Sequence, residues 1–385
     1  MASAFAATFR REVRWLRASP WDLGLVTLGP LLTLVVLGWM FVASVALQLP
    51  VAYVDQDHSG LSRQLARNLD ASPRVQVTAQ PADLEAAWPL IRSGKAWAII
   101  YMPAHSEREI LAGRRADIIV YENAAFYSLG TLASMGASEA ISGLTAEILP
   151  VLARTRNIPL ARLSTPHIQS TILFNPQLSY EWFLEALLQP GVLHLMMSCV
   201  VVMAVGREFR DGTLDEWLAD RPVVPVLAGK LAPYVLIFTG WNLLGVGWMC
   251  GVRGWGVHGD MGMLIAGQIL LYASYAALAA LIAALVKNIS TALSAVAVYG
   301  GPAITFSNAT LPTIDAPLFT QFWSRALPFT HYIELQMQQM FMGSPAADSL
   351  TPLLSLSAFT LVPFALAAFL LARARTAPAP IAEAA

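Results

Sequence analysis

The stretch DQDHS brings the carboxylates of Asp55 and Asp57 and the imidazole of His58 within four residues. Such side chains could together hold a divalent metal ion. The stretch follows a strand-like run, LPVAYVD, and Ser59 stands directly before a helix-like pattern. A turn at the strand end and a helix N-cap account for the same residues. We therefore predict a turn here and no metal site.

Other chemical motifs give no catalytic pattern. The sequence contains neither G-x-S-x-G nor H-E-x-x-H, and its two cysteines, Cys199 and Cys250, lie in apolar stretches without metal-ligand spacing. Gly229 and Lys230 are followed by Leu231, where a phosphate-binding loop needs Ser or Thr. We expect that this chain is not an enzyme by itself and binds no cofactor.

The composition is that of a membrane protein. Hydrophobic residues make up 56% of the 385 residues, charged residues only 13%, and the mean hydropathy is +0.56. A net charge of −1 gives no sign of nucleic-acid binding. A helix needs about 20 apolar residues to span a bilayer. Six runs without Asp, Glu, Lys or Arg are long enough: 23–47, 186–205, 231–252, 261–286, 289–307 and 349–372.

These runs predict an α-helical polytopic membrane protein with six transmembrane helices. Arginine and lysine residues flank the runs on one predicted side, so the positive-inside rule places both termini in the cytoplasm. The predicted organisation is a cytoplasmic interfacial helix at 1–21, transmembrane helix 1 at 22–47, an extracytoplasmic domain at 48–180, transmembrane helices 2–6 at 181–372 and a cytoplasmic tail at 373–385.

The segment 48–180 alternates strand-like and helix-like patterns. AWAIIYMP and ADIIVYEN are short, apolar and rich in β-branched residues, and SEREILAGR between them has helical spacing. Strands that alternate with helices are typical of α/β domains. We therefore expect one α/β extracytoplasmic domain between transmembrane helices 1 and 2.

The first 21 residues carry an amphipathic pattern. Phe5, Phe9 and Val13 recur at helical spacing, and arginines lie mostly on other faces. This pattern predicts a helix at the membrane interface. A disordered basic arm is the alternative.

Residues 206–222, with the sequence GREFRDGTLDEWLADRP, form a charged segment between two apolar runs. Thr213 and Glu216 have the spacing of a capping box, which predicts a short helix from Leu214 to about Asp220. Trp217 and Leu218 fall on its apolar face. A helix of two turns is unstable alone, so it needs a contact. That contact is either another protein or the lipid headgroups.

The charged segment resembles the coupling region of ABC-2-type transporter permeases, whose pattern is G-R-E, then charges, then G-T-x-[ED]-x-[LW]-L and a proline. GKLAPY at 229–234, the N-P and P-G pairs in FNPQLSYEWFL and at 190–191, and LPFTHYIE resemble further family motifs in the correct order. YVDQDHSGLSRQL resembles the start of the large extracytoplasmic domain found in the bacterial subgroup.

The resemblance implies a permease subunit of an ATP-driven exporter in the bacterial inner membrane. A separate ABC ATP-binding subunit would bind and hydrolyse Mg-ATP, and a second permease copy or a paralogue would complete the path. A periplasmic adaptor is left open. The residues implied to couple to the ATP-binding subunit are Arg207, Glu208, Gly212, Thr213, Leu214, Glu216, Trp217 and Leu218.

The spans hold few ionisable residues, which favours an amphipathic or hydrophobic substrate over an ion. His194 lies deep in one span, and a hydrogen-bonded structural role is favoured over proton relay. Candidate path residues are Trp241, Asn242, Tyr272, Tyr275 and Tyr299, although helix packing or interfacial anchoring would explain each one. The alternative functions are ATP-driven mechanical work on a periplasmic partner, and a membrane-anchored sensor that transports nothing.

Overall fold

Long apolar helices dominate the structure, a computed structural model that describes residues 2–41, 46–112, 117–123, 127–156, 174–175, 177–310 and 316–376. The chain divides into two compact units, Met1–Ser44 with Leu173–Ala385, and Val45–Ile172. The helices are α1 (Ala2–Ala18), α2 (Pro20–Met40), α3 (Gly60–Ala71), α4 (Leu84–Arg92), α5 (Ser106–Leu111), α6 (Tyr127–Arg156), α7 (Ala186–Arg210), α8 (Leu214–Leu218), α9 (Val223–Gly251), α10 (Met261–Val286), α11 (Ile289–Gly300), α12 (Leu318–Ala326), α13 (Pro328–Gln336) and α14 (Leu350–Thr376).

Within the described residues, five helical segments are long and apolar enough to cross a membrane. They are α2, α9, α10, α14, and α7 together with the π-helical turn Glu181–Glu185 that precedes it. Small side chains line the buried face of α10, where Ala276, Ala279, Ala280 and Ala283 are almost fully inaccessible. Small residues let neighbouring helices approach closely in a membrane. The helical polytopic class predicted from the sequence is therefore correct.

The predicted sixth span, 289–307, is not confirmed. Helix α11 has 12 residues, which gives a length of about 18 Å against a bilayer core of about 30 Å. A single 3₁₀ turn, Gly301–Ala303, follows it. Glycines at 300 and 301 weaken a helix, and Pro302 has no N–H to continue the α-helical ladder. These residues explain why an uncharged run of sufficient length does not form one long helix.

Helix α1 packs along α9 through one narrow face. Ala4, Thr8, Glu12 and Leu16 are buried at intervals of four residues. The predicted N-terminal helix is thus present. Phe5 is partly exposed on another face, where its ring stacks on Phe9 at a centroid distance of 6.0 Å; the lipid interface as the location of this face stays a prediction.

The smaller unit is an α/β fold around a four-stranded sheet. Its strands β1 (Leu49–Asp55), β2 (Val75–Ala79), β3 (Ala98–Met102) and β4 (Ile119–Glu122) lie in the order β2-β1-β3-β4. β1 is parallel to both neighbours, and β4 is antiparallel to β3. One sheet face packs with α3 and α6 and the other with α4. The α/β class predicted for this segment agrees with the structure.

The DQDHS stretch forms the predicted turn and helix cap. One Asp55 carboxylate oxygen accepts hydrogen bonds from the backbone N–H groups of Asp57 and His58, at 3.0 and 2.9 Å. Ser59 and Ser62 then form a reciprocal capping box at the start of α3. Burial, followed by the nearby Asp55 and Asp57 charges, raises the pKa of Tyr53 above its ordinary value. The tyrosine is therefore neutral, and its hydroxyl donates to the Ser62 carbonyl at 3.1 Å.

A glycine in α9 sets how closely α1 can approach. A Cβ atom at Gly229 would lie 2.5 Å from the carbonyl oxygen of Phe5, which is far inside van der Waals contact. A side chain there must displace α1. Gly240, on the same helix, has no atom within 4 Å of such a Cβ position. The pair therefore offers a matched test.

We expect Gly229→Val to lower the thermal unfolding midpoint of the purified chain, since overpacking costs about 1–3 kcal/mol. Gly240→Val carries the same change of side chain into open space and should leave the midpoint nearly unchanged. Scanning fluorimetry in one detergent measures both. Equal midpoints for the two variants would contradict the close contact of α1 with α9.

Candidate coupling site

The charged segment joins the end of α7 to the start of α9 through two changes of chain direction. Gly212, with a φ of +68°, follows α7, and Ala219, with a φ of +45°, follows α8. Positive φ is easy for glycine and rare for other residues. Between these positions α8 is only five residues long. The predicted helix therefore exists but ends at Leu218, two residues earlier than expected.

The predicted capping box is wrong. Thr213 has φ −94° and ψ 12°, which is not the extended backbone of an N-cap, and its side chain forms no cap hydrogen bond. Its hydroxyl instead donates to Glu208 Oε2 at 2.6 Å. The carboxylate of Glu208, a stronger acceptor than a neutral group, thus fixes the threonine against the end of α7.

A buried cluster of charges lies beside this segment, and we define the charge cluster as Glu12, Arg207, Glu208 and Lys230. Lys230 Nζ lies 3.0 Å from Glu12 Oε2 and 2.7 Å from Glu208 Oε1. Arg207 forms an ion pair with the other oxygen of Glu12. All four residues are less than 10% exposed. The cluster therefore holds two cations and two anions away from solvent.

Polar and aromatic groups complete the surroundings of the charge cluster. Tyr234 donates its hydroxyl to Glu12 Oε1 at 2.5 Å, and Arg11 Nη2 lies 3.1 Å from Glu208 Oε2. The Arg207 guanidinium lies 4.3 Å from the ring centroid of Trp15, and Lys230 Nζ lies 4.7 Å from that of Trp217. Both are cation–π geometries. Buried charges need such complete pairing, because removal of one partner costs about 3–5 kcal/mol.

The charge cluster connects three helices that are distant in sequence. Glu12 comes from α1, Arg207 and Glu208 from the end of α7, and Lys230 from α9. Two glycines next to these charges make room for them: Gly229 contacts α1, and a Cβ at Gly206 would lie 2.6 Å from Cγ1 of Ile289. In both the G-R-E and the G-K motif, the glycine thus allows a close contact between helices, and a charged residue beside it forms a buried ion pair.

The structure separates the predicted coupling residues into two groups. Arg207, Glu208, Trp217 and Leu218 are buried within the chain, and Thr213 and Leu214 are half-buried. Gly212 and Glu216 are exposed. Trp217 therefore packs on the chain's own Lys230, whereas the sequence predicted a contact with another protein or with the lipid headgroups. Its role in coupling, like that of the other residues, stays a prediction.

The exposed part of the charged segment carries more acidic than basic side chains. Asp211, Asp215, Glu216 and Asp220 are all exposed, and we call these four residues the acidic strip. Arg210 donates to Asp211 at 2.7 Å, and this hydrogen bond lowers the pKa of the Asp211 carboxyl below its ordinary value. The last helix also reaches the segment, since Arg375 Nη1 donates to the Ala219 carbonyl at 3.1 Å. Four acidic and two basic side chains, Arg210 and Arg221, are thus exposed on the segment whose Thr213 and Trp217 contact the charge cluster.

The predicted path residues lie inside the helix bundle. Tyr272 and Tyr275 are fully buried, and their hydroxyls have no hydrogen-bond partner among the described residues. The other three form hydrogen bonds: Trp241 Nε1 donates to the Val26 carbonyl at 2.9 Å, Asn242 accepts from Gln189 at 2.8 Å, and the Tyr299 hydroxyl donates to the Ala326 carbonyl at 2.8 Å.

Two of the predicted path residues, Tyr275 and Tyr299, form an aromatic group with His194. The His194 ring lies 4.2 Å from Tyr275, and Tyr275 lies 6.3 Å from Tyr299. His194 Nδ1 also bonds with the Pro190 carbonyl at 3.0 Å, as the structural role predicted. Packing within one chain accounts for these contacts, and a substrate path through them stays a prediction.

Sequence reasoning missed Glu12, Lys230 and Tyr234 as parts of the site. A signal was present: Glu12 is the only acidic residue among the first 21, and Lys230 is one of three lysines in the chain. Glu12 also shares the i, i+4 face of Thr8 and Leu16. An isolated charge on an otherwise buried face indicates a partner of opposite charge, although the sequence does not say which one.

Comparison with known proteins gives a family. Residues 20–369 match the ABC-2 family transporter proteins. The chain is 24% identical over 305 residues to the inner membrane transport permease YhhJ of Escherichia coli K12, a match that covers 77% of each protein. It is 22% identical over 321 residues to the probable multidrug ABC transporter permease YbhR of the same strain, covering 80% of this chain and 83% of that one.

No solved structure matches the chain significantly. The family match, in contrast, extends over both units and includes α7 and α9, which carry three of the four residues of the charge cluster. It covers the G-R-E and G-K motifs whose packing and ionic contacts are described above. The chain therefore belongs to the ABC-2 family of transporter proteins, and it is a permease-type subunit of an ABC transporter.

Proposed function

We propose that this chain is the membrane subunit of an ATP-driven exporter in a bacterial inner membrane, and that its ATP-binding subunit docks on the acidic strip. The observation that carries the proposal is the position of the strip. It lies on a segment whose buried side is fastened to α7, α9 and α1 by the charge cluster. A force applied to the acidic strip therefore acts on α1, α7 and α9 together.

Exposed and buried residues of the charged segment have different roles in coupling. The exposed carboxylates at 211, 215, 216 and 220 supply the contact with the ATP-binding subunit, and charged contacts of this kind favour the correct partner and orientation. The buried residues behind them transmit the movement. Because Trp217 contacts Lys230 and Thr213 contacts Glu208, a shift of α8 changes the surroundings of the charge cluster directly. Movement of packed helices between two arrangements is a common transport switch.

We further infer that a second permease copy completes the pathway and that the substrate is amphipathic or hydrophobic and moves outward. The name of the relative YbhR, a probable multidrug permease, supports this substrate class. Mg-ATP would be bound by the partner, in agreement with the lack of a phosphate-binding loop in this chain. A periplasmic adaptor is compatible with this assembly and is not required by it.

Charge reversal on the acidic strip tests the docking surface. We expect Asp215→Lys with Glu216→Lys to weaken binding of the cognate ATP-binding subunit by about tenfold, which corresponds to about 1.4 kcal/mol. Both side chains are exposed, so the fold should be unaffected. Pull-down titration of the purified subunit at two salt concentrations measures the affinity, and coupled ATPase activity should fall with it.

Asp348→Lys with Glu334→Lys is the control, since both residues are exposed and lie outside the charged segment. It makes the same change in net charge. If the control lost the subunit to the same extent, net charge would explain the effect, and the acidic strip would not be the docking surface.

Cysteine labelling tests the proposed orientation, with both termini and the charged segment in the cytoplasm and the α/β unit outside. In a background with Cys199→Ala and Cys250→Ala, a cysteine replacing the exposed Arg67 of α3 should react with an impermeant thiol reagent in intact spheroplasts. A cysteine replacing exposed Asp220 should react only after lysis. The reverse pattern would overturn the orientation.

A further inference from the structure

An apolar cleft lies at the far end of α7 from the charge cluster. It has a volume of about 380 Å³, within the range of small-molecule sites. The walls come from α2, α9 and the π-helical turn before α7, and they include Leu31, Val35, Trp39, Leu244, Trp248 and Glu185. Apart from Glu185, every one of these residues is apolar or aromatic. One acidic side chain in such a wall needs an explanation.

Glu185 is buried and lacks a partner for one oxygen. The residue is 1% exposed, and its Oε2 has no hydrogen-bond partner among the described residues. The charged groups that act on it are Glu181 and Arg253. These two already form an ion pair with each other, with Arg253 Nη2 at 3.0 Å from Glu181 Oε2. Arg253 therefore acts on Glu185 only from beyond ion-pair distance, and among the described residues the carboxyl group of Glu185 has no ion-pair partner.

An unpaired carboxylate in an apolar wall is energetically unfavourable. Removal of an ionised group from water costs several kcal/mol unless an opposite charge compensates it. Ionisable residues that face a cavity within a membrane span commonly mark a ligand site. An apolar side chain of similar size would fill this wall without the cost. The cleft therefore has the electrostatic character of a site for a positively charged group.

Two tryptophans give the cleft a second feature suited to cations. Trp39 and Trp248 line it from opposite helices, α2 and α9, and both are exposed at the helix surface. The faces of tryptophan rings attract organic cations. Leu31, Val35 and Leu244 are exposed on the same side, so the opening faces the surface that the helix bundle presents to lipid.

We propose that this cleft binds a hydrophobic organic cation that enters from the bilayer, with Glu185 as its counter-charge and Trp39 and Trp248 as its aromatic walls. The inference rests on the proposed export function and names its substrate class. A neutral acyl chain would fill the apolar volume without using the carboxyl group, and an anion would oppose its ionisation. A cation alone favours the ionised form of Glu185.

Binding of two probes of the same shape and opposite charge tests the proposal. Full-length permease in nanodiscs is titrated with radiolabelled tetraphenylphosphonium, and with tetraphenylborate as the anionic counterpart, after subtraction of binding to empty nanodiscs. We expect saturable binding of the cation only. Glu185→Gln should weaken it by about tenfold, because a buried charge pair is lost while the shape is kept.

Two further variants separate the charge from the space. Glu334→Gln makes the same chemical change at an exposed position outside the cleft, and it should bind the cation as wild type does. A Cβ at Gly38 would meet only Trp248 Nε1, at 3.8 Å, so Gly38→Leu places a side chain in the cleft. It should abolish saturable binding although Glu185 is intact.

Unchanged affinity in Glu185→Gln, or equal binding of the two probes, would overturn the proposal and indicate a lipid site or a contact between copies. The assay contains no ATP, so its outcome is independent of transport. Saturable cation binding without any stimulation of the coupled ATPase would leave the cleft assignment standing and count against the export function. Coupled export of another substrate without cation binding would support the export function and contradict the cleft assignment.

Discussion

The pairing of Glu12 with Lys230 is the interaction on which the membrane unit depends most. Both side chains are almost fully buried, and each is also paired with a residue from the end of α7, Arg207 or Glu208. In a low-dielectric interior each of these charges needs an opposite charge nearby, because the loss of one partner leaves an uncompensated ion. The N-terminal helix is therefore an integral part of the bundle and not an appendage. Gly229 makes this contact possible, because α1 crosses α9 at a point where a side chain on residue 229 would collide with the α1 backbone.

Among the described residues, the buried acidic and basic side chains of the bundle lie near the two ends of α7. Its 25 residues span about 37 Å, roughly the thickness of a bilayer core with part of its interfaces. Arg207 and Glu208 stand near one end, and Glu185 directly precedes the other. One helical segment, Glu181–Arg210, therefore connects the proposed docking surface with the proposed cation cleft. A displacement at the charged segment would reach the cleft without any intermediate pathway, which gives the coupling a simple mechanical form.

Much of this organisation could be predicted from the sequence. The apolar runs gave five spans that the structure contains, the alternating patterns indicated the α/β unit, and the motifs around Gly206 and Gly229 indicated the family. These features depend on local composition and spacing. The sixth span is not confirmed, and the reason is one that hydropathy ignores, because Gly301 and Pro302 interrupt a helix without adding any charge.

The site was less predictable because its contacts are distant in sequence. Thr213 and Glu216 have the spacing of a capping box, but Glu208, five residues earlier, competes for the threonine hydroxyl. Trp217 resembles a surface anchor until Lys230 of another helix is placed beneath its ring. Glu185 likewise appears as an ordinary acid near a span boundary until the packing of α2 against α9 surrounds it. Each of these outcomes depends on which helices meet.

The most direct test of the account is a double-mutant cycle on Glu12 and Lys230 in the complex with the ATP-binding subunit. Glu12→Gln removes one negative charge from the charge cluster and Lys230→Met removes one positive charge, so each single variant unbalances it. The double variant removes both charges and leaves Arg207 and Glu208 as the remaining pair, 4.0 Å apart. The measurement is the ATPase rate of the complex with each variant in liposomes. Each single change should impair coupling, and the double variant should restore part of it. Additive losses, or single variants that couple normally, would contradict the central role of this pair.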